Sequence, residues 1–279
     1  MPVFVYIQGQ YFYISVISSE KNISILDNYE KRISNVLSSF HPVQLGDIAG
    51  AKLMDRVDTK FVFHKNELPE LLKSLKEHYD VLEINGKRKM RYESLYLDGS
   101  GLPFYLDHHN RRDHRFKVRY RKYSDSGTTF LEIKEKRKGR TRKTRIEVDD
   151  FENNLGPRAI GFVHQFIPRI SLKPVLWNTY HRITLVKQST QERATIDIGL
   201  TYHSGDKNKK FANLVIAELK QERIDRKSAF YQLMKLKQIR PFQVSKYCVG
   251  MVTMRGLDNI KYNRFKKKVK TINRINNDS

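Results

Sequence analysis

Polar and apolar positions alternate with period two along several stretches of this chain and recur at helical spacing along others. In LMDRVDTKFVF, residues 53–63, Val57, Thr59, Phe61 and Phe63 fall on one side of a strand, and Arg56, Asp58, Lys60 and Val62 on the other. A helix is predicted directly after it. Asn66 suits the N-cap, Glu67 the first turn, and Leu68, Leu71, Leu72 and Leu75 share one face. RKMRYESLYLD and LPFYLDHH flank GSG at 99–101 and read as two strands around a turn. Three alternating runs follow. Arg115, Lys117, Arg119 and Arg121 oppose Phe116, Val118 and Tyr120; after SDSG, Glu132, Lys134 and Lys136 share a face with Phe130, opposite Leu131, Ile133 and Glu135. After KRKGR, Lys143, Arg145 and Glu147 oppose Thr144, Ile146 and Val148, completing a predicted antiparallel meander. The pattern returns in ERATIDIGL, with Arg193, Thr195 and Asp197 opposite Ala194, Ile196 and Ile198, and in LVIAELKQE, with Glu218 and Lys220 opposite Val215, Ala217 and Leu219. DFENNLGPRAIGFVHQFI, broken at Gly156-Pro157, and RKSAFYQLMKLKQI read as helices, and VSKYCVG as a strand or core segment. Residues 1–40 predict a strand or hairpin and a short helix. The basic stretch after Gly256 predicts a surface helix or frayed extension.

A sheet with one polar face usually turns that face to water. Here the polar faces are dominated by cations with a Glu at intervals, and like charges opposite each other on paired strands repel. Such a face calls for an anion. The predicted architecture is therefore α+β: an antiparallel β-barrel tunnel with helices packed on its outside, cations pointing inward and the apolar strand faces outward. The bulk numbers agree. A chain of 279 residues, 39% hydrophobic and 11% aromatic, can bury a core, which excludes a disordered chain. Its 53 Lys and Arg against 30 Asp and Glu leave a net charge of +23, a field that attracts phosphates, nucleic acid or an anionic surface. Carboxylates among phosphate-binding cations suit a divalent metal, with Glu218 the first candidate and Glu132 the second. A single cysteine, Cys248, fits a reducing compartment and a packing role, and no stretch is long and apolar enough to span a bilayer, so a cytoplasmic protein is expected. P-loop, dinucleotide-binding, zinc-ribbon and zincin motifs have no counterpart in the sequence. His108 and His109 are adjacent and read as packing or surface residues. The aromatics of RFKVRYRKY lie on the face opposite its cations, which argues against a base-stacking nucleic-acid surface.

MDRVDTKFVF, RYESLYLD, DHHNRRDHRFKVRYRKY, FLEIKEK, KTRIEV, YHRITL, RATIDIGL, VIAELK and SKYCVG, in this order, resemble the VTC domain, the catalytic domain of polyphosphate polymerases among the CYTH-like triphosphate tunnel metalloenzymes. The resemblance covers about residues 41–255, between a variable lead-in at 1–40 and a basic tail at 256–279. It implies transfer of the terminal phosphate of ATP to a growing inorganic polyphosphate chain with release of ADP, and a need for Mn²⁺ or Mg²⁺. Alternatives are a triphosphate or polyphosphate hydrolase of the same fold and a non-catalytic binder of nucleic acid. Carried over by motif, Lys60, Arg119, Arg121, Lys134 and Lys246 would be catalytic cations, Arg182 and Arg193 phosphate-binding, and Glu218 the metal carboxylate. Strand parity adds Arg115, Lys117, Lys136, Arg145 and Lys220 as phosphate-binding candidates and Glu132 beside the metal. Lys136 stands where eukaryotic members carry His.

Overall fold

A computed structural model of the chain describes residues 3–7, 10–14, 17–48, 57–138, 140–190, 192–256 and 259–278, with side chains from residue 28 onward. The lead-in forms a hairpin of β1 (Val3–Ile7) and β2 (Gln10–Ile14), then α1 (Ile17–Ser38), whose 22 residues exceed the short helix predicted. Next come β3 (Pro42–Val43), β4 (Val57–His64), α2 (Leu68–Leu75), β5 (Asp80–Leu82) and β6 (Met90–Asp98). The first residues of the LMDRVDTKFVF strand, 53–56, lie outside the described residues. After α3 (Pro103–His109), β7 (Arg115–Tyr123), β8 (Thr128–Arg137) and β9 (Arg140–Val148) form the predicted meander, paired antiparallel in register. The chain continues through α4 (Pro157–His164), β10 (Lys173–Lys187), β11 (Glu192–Ser204), β12 (Lys207–Phe211), β13 (Leu214–Gln221), α5 (Ala229–Leu236), α6 (Lys246–Arg255) and α7 (Lys266–Asn277).

Among the described residues eleven strands form one sheet, and its main path runs β4-β13-β11-β10-β6-β7-β8-β9, every neighbour antiparallel. β4 and β9, at the two ends of this path, do not pair with each other among the described residues. The sheet nevertheless curls on itself. Lys134 of β8 feels the charges of Glu218 on β13 and of Lys60 and Asp58 on β4, and Lys117 of β7 feels Lys60. Charges from opposite ends of the path meet across a central space, which makes the sheet a tunnel wall with an unsealed seam.

The alternation read from sequence sets which side faces that space. The outer side of β4, β13, β11 and β10 buries Phe61, Phe63, Val215, Ala217, Leu219, Ala194, Ile196, Ile198, Ile183 and Leu185 under α2, α5 and α1. Leu68, Leu71, Leu72 and Leu75 of α2 are all fully buried there. Burial of each contributes roughly 1.5–3 kcal/mol. The outer side of β6, β7 and β8 buries Leu95, Leu97, Val118, Tyr120, Leu131 and Ile133 under α4. A bulge keeps β11 in phase over its length. Its register against β10 slips between Thr179 and His181, and Gly199 takes φ +65° there. Asp197 and Tyr202, five residues apart, can then both face inward.

Four local expectations are corrected. LPFYLDHH is helix, not strand: Pro103 occupies its first turn, and the Asp98 carboxylate at the end of β6 accepts from the backbone N–H of Gly99, Phe104 and Tyr105 at 2.8, 3.0 and 3.0 Å. VSKYCVG is likewise the start of α6, capped by the Ser245 hydroxyl accepting from Cys248 N at 3.3 Å; the buried position expected of Cys248 holds. The 150–167 pattern becomes helical only from Pro157. The helical turn before α2 is capped by His64 Nδ1 accepting from Asn66 N, not by Asn66.

Not every helix lies outside. Tyr247 of α6 stacks on Tyr96 of β6, with ring centroids 5.0 Å apart, and its hydroxyl donates to Asp98. A Cβ on Gly250 would stand 2.4 Å from the Tyr202 ring and 2.5 Å from Leu176. Those side chains belong to the inner face, so α6 fills part of the tunnel at the end where β6 and β11 finish. α7 crosses the same end, from Arg264 donating to Asn110 O at 2.8 Å to Asn276 bonded to Asn213 beside β13.

Candidate active site in the tunnel

Strand register turns the inward charges into three knots, each a carboxylate held by two cations, buried for Glu132 and Asp197 and part-buried for Glu218. Glu132 lies directly across the ladder from Arg119 and from Arg145. Arg119 donates to it through Nε and Nη2 at 3.0 and 2.8 Å, and Lys143 Nζ lies 2.5 Å from its other oxygen. Asp197 lies across from Arg182, which grips it with two bonds of 2.6 and 2.8 Å, while Lys246 from α6 donates to the same carboxylate. Glu218 lies across from Lys60, 2.9 Å away, with Lys220 Nζ 3.3 Å from its second oxygen. Burial alone would favour the neutral acids. In all three the cations prevail and hold the carboxyl well below its ordinary range: Arg119, Arg121 and Lys143 for Glu132, Arg182 and Lys246 for Asp197, and Lys220 and Lys60 for Glu218.

The remaining cations are less fully neutralised. Arg121 is buried and donates to Tyr180 OH at 2.8 Å and Ser94 Oγ at 3.4 Å, both uncharged. Burial, with Lys134, Lys60 and Arg119 nearby, pushes the Lys117 ammonium down to about 7. Burial also lowers Lys134, although Glu218 pulls against it, and lowers Lys220 to about 8 against the same carboxylate. Aromatic rings floor the cationic row. The Arg182 guanidinium sits 5.0 Å from the Tyr92 ring centre, Lys246 Nζ 4.6 Å from Tyr180, and Arg145 4.0 Å from Phe130. Arg193 Nη2 donates to Ile48 O at 3.4 Å. Lys136 faces Arg115 across the ladder at the α6 end.

The structure thus brings Lys60, Lys117, Lys134, Lys220 and Glu218 into one electrostatic neighbourhood and Arg119, Arg121 and Glu132 into another, with Arg182 and Lys246 joined through Asp197. Arg145 lies at the open β9 edge. Sequence reading gave no role to three residues that matter here. Asp197 was placed on the ionic face of its strand, and its opposition to Arg182 depends on the β10–β11 register. Lys143 was placed on the face that proves to hold Glu132. Asp58, two residues before Lys60 and on the same face, lies within hydrogen-bonding reach of Glu218.

That last pair tests the fit to a metal. Among the described residues no group of three or more His, Cys, Asp and Glu forms a closed cage. Mg²⁺ and Mn²⁺ bound to substrate phosphates need only one or two protein carboxylates, the rest of the shell being phosphate oxygen and water. Glu218 and Asp58, within hydrogen-bonding reach of each other, are such a donor set. Glu132, 2% exposed and gripped by Arg119 and Lys143, is occupied as a holder of cations.

A curled antiparallel sheet whose inner face carries this many cations around buried carboxylates defines a tunnel protein for polyphosphate or triphosphate. The family model of the VTC domain matches residues 55–255, and the chain belongs to the VTC domain family. No curated protein matches it. Among solved structures, two bacterial proteins named "putative adenylate cyclase" are similar. The one from Bacillus halodurans is 12% identical, with 69% of this chain and 96% of that chain covered and a TM-score of 0.44. The one from Vibrio parahaemolyticus is also 12% identical, with 70% and 98% covered and a TM-score of 0.43. The PH1819 protein of Pyrococcus horikoshii OT3 is 13% identical, with 72% and 100% covered and a TM-score of 0.39. No helix among the described residues is long and apolar enough to cross a membrane.

Proposed function

We propose that the chain is a metal-dependent polyphosphate polymerase, transferring the terminal phosphate of ATP to a growing inorganic polyphosphate chain and releasing ADP. The observation that carries this reading is the Glu218 knot. One stretch of the tunnel interior combines oxygen donors for a divalent cation, Glu218 and Asp58, with ammonium groups for phosphate oxygens, Lys60, Lys134 and Lys220. Membership of the VTC domain family supports it.

The attacking group in this reaction is a terminal phosphate oxygen, already ionised near neutral pH, so no side chain has to remove a proton. The work is positioning and neutralisation. Arg119, Arg121 and Arg182, fixed by Glu132, Ser94, Tyr180 and Asp197, present guanidinium groups that need not reorganise when a phosphate arrives. Lys60, Lys134 and Lys246 bind and orient the transferring and leaving phosphates, while Lys117, Lys136, Arg115, Arg145, Arg193 and Lys220 extend the cationic lining along the chain. Mn²⁺ or Mg²⁺, when held by Glu218 and Asp58, supplies Lewis-acid neutralisation of phosphate charge. Purified protein given ATP and Mn²⁺ is expected to release ADP and lengthen polyphosphate. Release of free phosphate without polymer would make it a hydrolase, and absence of turnover with either metal and with a primer would overturn the assignment.

A further inference from the structure

The cationic row does not stop at the α6 end of the tunnel. Lys117 of the tunnel, Arg115 at the start of β7 and Lys268 of α7 all lie within electrostatic reach of the buried Cys248 thiol of α6. Arg111 approaches Lys268 closely enough to repel it, and Lys268 is itself half-buried. Arg115 has a buried Nε with no hydrogen-bond partner, its Nη1 being spent on Arg112 O at 2.5 Å. Acidic groups of this neighbourhood are engaged toward its rim. Asp113 accepts from Lys138 N at 2.8 Å, Glu135 meets His114 at 2.8 Å, and Asp107 faces Arg112, His114 and Arg115.

α7 continues the row outward. It carries Lys266, Lys267, Lys268, Lys270 and Arg274 and no acidic residue, and Lys266, Lys267, Lys270 and Arg274 are exposed. Three lysines fill its first turn, where the helix dipole is already positive, and no side chain caps that end. Val269, Ile272 and Ile275 anchor the other face of the helix to the core, so the lysines are held in place over the tunnel end. Uncompensated cations set against their own helix, and continuous with a phosphate-binding lining, are a local conflict of the kind that marks a ligand site.

We propose that the Arg111, Arg115 and α7 lysine surface is a track for the distal part of a long polyphosphate chain, which passes between α6 and the β7–β8 wall and lies along the first turns of α7. This rests on the polyphosphate reading of the tunnel. It adds that long chains are held by a second segment that short ones never reach. Nucleic acid, the other polyanion of comparable charge, is rigid or bulky beside a bare phosphate chain, and among the described residues no Phe, Tyr or Trp is exposed on this face to stack on a base.

The test compares tripolyphosphate with long-chain polyphosphate on wild type, on Lys266→Gln/Lys267→Gln/Lys270→Gln, and on Arg111→Gln/Lys268→Gln, with melting curves to establish that each is folded. The first variant alters exposed side chains only and keeps the test open if the second is unstable. Both are expected to keep tripolyphosphate affinity within about twofold. Long-chain affinity should fall by about tenfold, and for the triple variant the slope of log affinity against log salt should flatten by about 2, as three lost phosphate contacts require. Equal loss for both ligands, or no loss for the long one, would overturn the track. So would single-stranded DNA that outcompetes polyphosphate on wild type and loses affinity in parallel in the variants. Failure of wild type to bind either phosphate ligand would instead overturn the tunnel assignment, and the track with it.

Discussion

At the scale of single residues, Glu132, Asp197 and Glu218 each hold two cations, and of these three Glu218 also has an acidic neighbour, Asp58. Glu218→Gln should separate these roles. It removes a metal donor and frees Lys60 and Lys220, so metal-dependent turnover is expected to fall by about a hundredfold, while metal-free tripolyphosphate binds tighter. Equal losses in both measurements would make Glu218 merely structural. The lowered lysines give a pH signature. Lys117 at about 7 and Lys220 at about 8 are largely and half neutral at pH 8 in the empty protein. Both lie below the ordinary lysine value of about 10.4, so the folded state binds fewer protons than the unfolded one, and their contribution to stability rises with pH above about 7. A polyanion restores the charged form. Calorimetry at pH 8 in buffers of different ionisation heat should therefore show uptake of about one to two protons on tripolyphosphate binding, vanishing near pH 6, where both lysines are already charged. Proton release at pH 8 would contradict these assignments.

At the scale of elements, strand parity was legible and register was not. Alternation alone placed Lys60, Arg119, Arg121, Lys134, Arg193 and Glu218 on the ionic faces, because a half-buried strand must alternate. Which strand lies beside which is decided by pairings such as Glu218 with Lys60, 158 positions apart, and no local pattern encodes that. Asp197 and Asp58 therefore stayed without a role. The misread strand at 102–109 has a local cause: the carboxylate that caps it, Asp98, belongs to the preceding strand. α6 escaped notice because its residues are apolar on nearly every side, being enclosed between the tunnel wall and α3 and α7. Gly250 is a point where it passes close against the sheet. Gly250→Ala puts a methyl against Tyr202 and Leu176 and should destabilise the protein by about 1–3 kcal/mol, read from denaturant unfolding. An unchanged midpoint would mean that α6 does not sit within the tunnel wall.

For the whole molecule, the cations behind a net charge of +23 include an interior lining and the exposed lysines of α7 over the tunnel end. The tunnel explains why apolar side chains face outward on strands whose inner sides are ionic: α1, α2, α4 and α5 cover them, and the interior is left for a ligand that brings negative charge. On the proposed reading this ligand reacts there. The most direct measurement follows the terminal phosphate of ATP by isotopic label, with Mn²⁺ and a short polyphosphate primer present. Label incorporated into polymer in equal amount to the ADP formed is the predicted result. Label recovered as free phosphate, or ADP absent while polyphosphate still binds, would contradict it.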